Sequence, residues 1–146
     1  MGEYTALAIK GVVKAQFRKF TDALIEGNWG SVPDPYFEAF SKVHRSNSIP
    51  RGFSYYFNSE LCVFADVDCE QADPFYDIET GEYHIYCSLK NYDNTIQEFF
   101  KLIPHFMQEC SIIRTRYNGY DSPICKYELA DNEVRFIEAE PFDEWD

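Results

Sequence analysis

Along residues 3–13, EYTALAIKGVV, apolar side chains fall on both alternations: Thr5, Leu7 and Ile9 on one, Tyr4, Ala6 and Ala8 on the other. The period of two makes this a strand, and apolar residues on both alternations predict cover on both faces of its sheet. The period then lengthens. In VKAQFRKFTDALIEG, Val13, Phe17, Phe20 and Leu24 recur at helical spacing and Gly27 supplies a left-handed stop. A second helix is expected from Asp34 as N-cap, with Pro35 at the first helical position where its missing N–H costs nothing, to about Arg45.

After the loop RSNSIPRG, the β-rich runs FSYYF and LCVFADV, separated by Asn58, Ser59 and Glu60, read as a hairpin, and YHIYCSL (83–89) as another strand. The next segment is helical: Asn94 is the expected cap with Gln97 three residues on, and Ile96, Phe99, Phe100, Ile103, Phe106, Met107 and Cys110 share a stripe. Pro104 should interrupt it and kink it near Phe100. From Ile112 the period is two again through SIIRTRY, PICKYEL and EVRFIE, with turns at Asn118-Gly119 and Asp131-Asn132, which is an antiparallel meander. Amphipathic helices must cover their stripes, so the order predicts a two-layer α+β fold. Helices lie on one face of a mostly antiparallel sheet, ferredoxin-like or a variant of it. One domain spans 1–146, with an acidic loop at about 66–82 and an acidic tail, 139–146, that frays although Phe142 and Trp145 offer docking points.

Composition narrows the function. With 146 residues and 45% apolar content the chain closes one core without staples, and its 13 Phe and 11 Tyr make that core ring-packed with some tyrosines at the surface. Five cysteines without a C-x-x-C pair argue against structural zinc. The start MGEYTALAIKGVVKAQ has no basic-then-apolar leader and no apolar run approaches ~18 residues, so the expected location is the cytoplasm, with reduced thiols and no membrane. Gly2 is not a myristoylation site, because position 6 is Ala6.

Net charge is −12, and residues 52–89 hold eight acids and no lysine or arginine. Such a chain is repelled by phosphate backbones, which argues against direct nucleic-acid binding. The core of the acidic stretch is FADVDCEQADPFYDIETGE. Asp66, Asp68 and Glu70 fit positions 1, 3 and 5 of a calcium loop, but Gln71 stands where the sharp turn needs glycine and Asp77 where a bidentate Glu belongs. A looser magnesium site at Asp66 and Asp68 is the basis of an alternative, a metal-dependent enzyme of nucleotide or nucleic-acid metabolism. Acid–base pairs such as Asp66 with Asp68 or Glu79 with Glu82 lack a supporting motif, and a solvated loop is the better single description of residues 68–82. His84 and Cys87 point to opposite faces of a regular strand, and His105 and Cys110 are poorly aligned on a helix, so neither is a nucleophile–base pair. Phosphate-cradling and common hydrolase motifs are absent, so no catalytic residue, metal ligand or cofactor is assigned.

Binding is the better use of these residues. Asp66, Asp68, Glu70, Asp73, Asp77, Glu79 and Glu82 create a field reaching about 8 Å at physiological salt, and it draws in a basic surface before contact. Phe64, Phe75, Tyr76, Tyr83 and Tyr86 are the nearby rings available as anchors, Phe75 and Tyr76 foremost. Four stretches, YTALAIKGVVK, SIPRGFSYYF, YCSLKNYDNTIQEFFKLIPHF and YNGYDSPICKYEL, resemble small uncharacterised proteins encoded by bacteriophages and prophages. The resemblance implies a bacterial cytoplasm and a counter-defence, immunity or host-takeover role, and carries over no site residue. The expected function is an acidic inhibitor of a host protein with a basic, nucleic-acid-binding surface. A homo-oligomeric structural protein is a further alternative, and a homodimer is compatible with either.

Overall fold

The computed structural model describes residues 4–52, 64, 74–117 and 122–141. Strand β1 (Thr5–Val13) is flanked on both sides, pairing antiparallel with β3 (Glu82–Leu89) and with β4 (Met107–Tyr117). The two-residue strand β2 (Phe75–Tyr76) borders β3, and β5 (Ile124–Ala130) and β6 (Glu133–Glu140) continue the sheet beyond β4, giving the order β2-β3-β1-β4-β5-β6. Every neighbouring pair is antiparallel, so β3 and β4 run parallel with β1 between them, and β1 and β2 run parallel with β3 between them. Two interleaved β-α-β crossovers of this kind are the ferredoxin-like pattern, extended here by the β5–β6 hairpin. The expected two-layer α+β fold is the one formed.

Helices α1 (Thr21–Glu26), α2 (Pro35–Ser41), α3 (Ser48–Arg51) and α4 (Thr95–Phe106) contribute to the layer on one face. The odd positions of β1 (Leu7, Ile9, Val13) and of β3 (Tyr83, Ile85, Cys87) bury themselves against it. Trp29 is the hub, with its ring centroid 5.5 Å from Phe99, 5.6 Å from Phe40 and 6.2 Å from Phe37, and its indole N–H donating to Ser46 O at 2.8 Å. Each tilted or edge-on ring pair adds about 0.5–1.5 kcal/mol beyond area burial. The even positions Ala6, Ala8 and Tyr86 form a second, smaller cluster on the opposite face with Phe64 and Ile124, as the two-sided apolar pattern of β1 requires.

Several element boundaries differ from the sequence expectation. The segment from Lys14 to Gly27 is not one helix but a 3-10 turn at Ala15–Phe17 followed by α1, separated at Phe20, whose ψ of 67° is not helical. Arg18 holds this corner: Nε donates to Val13 O at 2.9 Å and Nη1 to Glu79 O at 3.3 Å. Gly27 is the expected left-handed stop, with φ of 72°. Asp34 caps α2 and Pro35 is its first residue, but the helix ends at Ser41, and Ser48–Arg51 form a helical turn where a loop was expected.

At α4 the cap position is Asn94, in the left-handed region with φ of 57° and no side-chain bond to the helix. Asn91 does the capping instead: its Oδ1 accepts from Ile96 N–H at 2.8 Å, while its Nδ2 donates to Gln97 Oε1 at 2.8 Å. Pro104 lies in the last turn and the helix stops at Phe106, so Met107 and Cys110 belong to β4 rather than to the helical stripe. Lys14 satisfies two carbonyls of this ending: its backbone N–H donates to Phe106 O at 2.8 Å and its Nζ to Pro104 O at 3.0 Å. Asp131 and Asn132, with φ of 52° and 63°, turn β5 into β6 through two left-handed residues, as a two-residue hairpin of the primed type demands. Ala139 and Glu140, expected in the tail, end β6. The runs FSYYF and LCVFADV (apart from Phe64), the turn Asn118-Gly119, and Phe142 and Trp145 lie outside the described residues.

Candidate functional site

The acidic stretch is described at Phe64 and from Pro74 onward; Asp66, Asp68, Glu70 and Asp73 lie outside the described residues. Within the expected loop, Phe75 and Tyr76 pair with His84 and Tyr83, and a turn from Asp77 to Gly81 leads into β3. The turn is closed by its own backbone: Asp77 N–H donates to Glu82 O at 2.9 Å and Gly81 N–H to Asp77 O at 2.8 Å. Asp77 Oδ1 accepts from Glu79 N–H at 2.9 Å. Gly81 has φ of 80°, and a Cβ there would lie 2.6 Å from Val13 O, so only glycine lets the turn approach the end of β1. Val13 N–H then donates to Gly81 O at 2.7 Å, fixing the acidic turn to the sheet.

Strand alternation separates the two rings assigned to binding. Phe75 lies on the sheet face opposite the main helices, 45% exposed, with its centroid 5.2 Å from the His84 ring. Tyr76 faces the core: it meets Tyr83 edge-on at 5.8 Å and its hydroxyl donates to Arg18 O, while burial pushes the phenol up to about 12. Phe75 is therefore presented to solvent and Tyr76 mainly supports the turn. Ile78, not singled out in the sequence, is 50% exposed in the same turn. Phe64, Tyr83 and Tyr86 are buried, which removes them as contact anchors. The outward set is thus Phe75 and Ile78 among Asp77, Glu79 and Glu82.

An open depression of about 390 Å³ adjoins this turn, lined by Lys10, Val12, Glu82, Glu109 and Ser111 among others. Glu82 and Glu109 sit on either side of Val12 in the strand register. His84 Nε2 and Glu82 Oε1 are 2.9 Å apart, an arrangement that can orient an imidazole. The neighbouring nucleophile types are not poised for its use. Burial pushes the Cys110 thiol up to about 12, and Ser111 Oγ donates to Lys10 O at 3.2 Å. Among the described residues no group of three His, Cys, Asp or Glu side chains is placed to hold a metal ion. The separation of His84 from Cys87 is as expected: His84 meets Phe75 on one face while Cys87 is buried in the main core, its thiol also raised to about 12. His105 is on α4 and Cys110 on β4, so they form no pair either.

Two features escaped the sequence reading. One is a basic row on the second face of the sheet: Arg114 and Arg116 stand opposite Ala8 and Ala6 of β1, and Lys126 stands opposite Arg114. Arg116 is buried and its Nε donates to Ser122 O at 3.1 Å, and Lys126 is ion-paired with Glu138 and Glu140. Their two-residue spacing in SIIRTRY was the available cue. The other is the clamp between α2 and α4, where His105 Nε2 lies 3.0 and 2.9 Å from the two Asp34 oxygens. No spacing rule connects residues so far apart in the chain.

Among the described residues no helix is long and apolar enough to cross a membrane. Neither the family models, nor the curated proteins, nor the solved structures compared with this chain give a match.

Proposed function

We propose that the protein is a non-enzymatic inhibitor of the counter-defence or immunity type, encoded by a phage or another mobile element, that occupies a basic, nucleic-acid-binding surface of a host protein. The observation that supports this reading best is the β2–β3 turn. Phe75, Ile78 and Glu79 are exposed there and Asp77 and Glu82 partly so, in a span of 38 residues without lysine or arginine. The carboxylates steer a basic partner toward the turn, and the two apolar side chains supply surface to desolvate on contact. A turn fixed by backbone bonds to β1 and β3 loses little conformational freedom on binding.

The test is capture of the partner from a bacterial host expressing the tagged protein, followed by association kinetics with the purified partner. Glu79→Lys with Glu82→Lys should slow association roughly tenfold at low salt, and Phe75→Ala should speed dissociation. Duplex DNA should compete with the protein for its partner. A partner that associates at the same rate with the double reversal, and is not displaced by DNA, would refute this function.

A further inference from the structure

The opposite end of β3 has the reverse character. Beyond Leu89, Lys90 places Nζ over the Tyr4 ring at 5.8 Å, and the guanidinium of Arg45 lies over the Tyr92 ring at 5.5 Å. Arg45 Nη1 donates to the backbone oxygen of Lys90 at 3.0 Å, which anchors the Arg45 side chain at the end of β3. Tyr92 is 62% exposed, and Tyr117, opposite Thr5 at the same end of the sheet, is 54% exposed. Asp93, the acid within this turn, is engaged by His44 Nδ1 at 2.6 Å. Two cations and two exposed tyrosines thus form a surface in a chain whose net charge is −12.

Glu82 and Leu89 are the two ends of β3, so the acidic turn and this cation–tyrosine end are about 24 Å apart along the strand. That is about three Debye lengths at physiological salt, too far for the two ends to neutralise each other within one molecule. We infer that the cation–tyrosine end receives the acidic β2–β3 turn of a second copy of this chain, giving a head-to-tail association. The chain itself supplies both halves of the contact: carboxylates with Phe75 and Ile78 on one side, Lys90 and Arg45 with Tyr92 on the other. Because the halves lie at opposite ends of one strand, using one leaves the other open, so the contact can repeat. The inference shares the acidic turn with the function proposed above and adds a surface that function does not use.

Light scattering after size exclusion, at low and high salt over a range of concentrations, tests it. The wild type should exceed the 17.1 kDa mass of one chain at low salt, grow with concentration, and return to one chain at high salt. Lys90→Gln with Tyr92→Ala loses one half of the contact and Glu79→Gln with Glu82→Gln the other; each should run alone as a single chain. Mixed in equal amounts, the two variants should form a pair that grows no further, because each retains one competent end. Glu79→Gln by itself, at an exposed position, serves if the acidic double variant melts early. A wild type that stays single at low salt overturns the inference, as does association that survives both variants or a mixture that fails to pair. A single-chain protein that still binds its host partner in a salt-dependent way overturns this inference alone and leaves the proposed function standing.

Discussion

Asp34 serves two elements with one carboxylate. It accepts from Tyr36 N–H at 2.9 Å and Phe37 N–H at 3.4 Å to cap α2, and both of its oxygens face His105 Nε2 on α4. A carboxylate only accepts, so Nε2 carries the proton; the ring also packs against Tyr36, with centroids 4.2 Å apart and planes tilted by 34°. Burial opposes the charged form of Asp34, yet the His105 bond and the two N–H donors outweigh it and hold the carboxyl below its ordinary 3.8. As pH falls the unfolded chain therefore takes up this proton first. The stability Asp34 contributes is whole above pH 3.8 and is lost as pH drops through its lower folded value. Asn caps a helix as well as Asp, so Asp34→Asn should cost about 1 kcal/mol near neutral pH through the lost charge on the His105 bond, and should make the loss of melting temperature on acidification shallower. An acid limb of unchanged slope in the variant would assign that limb to other carboxylates.

At the level of elements, the alternation of apolar positions located β1, β3, β4, β5 and β6, and the cap at Asp34 with Pro35 located α2, because each of these depends on neighbours within a few residues. What could not be read depends on distant partners. Met107 and Cys110 continue the helical spacing of Phe99, Ile103 and Phe106, and only the pairing of Met107 with Val13 and of Cys110 with Gly11 draws them into a strand. The β5–β6 hairpin was recognisable as a hairpin but not as an appendage of α4. Its ladder to β4 consists of Arg114 with Lys126 and Thr115 with Cys125, after which Tyr127 leans on Phe100 at 4.8 Å and on Phe136 at 5.7 Å. Ring packing on α4 thus substitutes for strand pairing over the outer half of the hairpin. Tyr127→Ala should remove about 1–3 kcal/mol of local stability. Hydrogen exchange should show amides of β5 and β6 losing protection while those of β1 and β3 keep theirs. Equal loss throughout the sheet would mean that the hairpin unfolds only with the whole domain.

For the whole molecule, the acidic excess was legible in the sequence, whereas the division of aromatic residues between surface and interior was not, since β1 is covered on both faces and alternation alone leaves open which face of β3 meets water. Tyr83 and Tyr86 fall on opposite faces and both are buried, leaving Phe75 and Ile78 outside. The charge itself makes a prediction about stability distinct from those about binding. Acids outnumber bases by 25 to 13, while exposed pairs such as Lys42 with Glu38 and Lys101 with Glu98 contribute little each. Unbalanced carboxylates repel one another most in the compact state. Added monovalent salt, which shortens the Debye length from about 30 Å to about 8 Å between dilute buffer and physiological strength, relieves that repulsion. The melting temperature should therefore rise with sodium chloride while partner binding and self-association weaken, two responses of opposite sign from one source. A melting temperature that falls with salt would show the carboxylates to be neutralised inside the fold, and an acidic turn so neutralised would have no long-range attraction left to offer a partner.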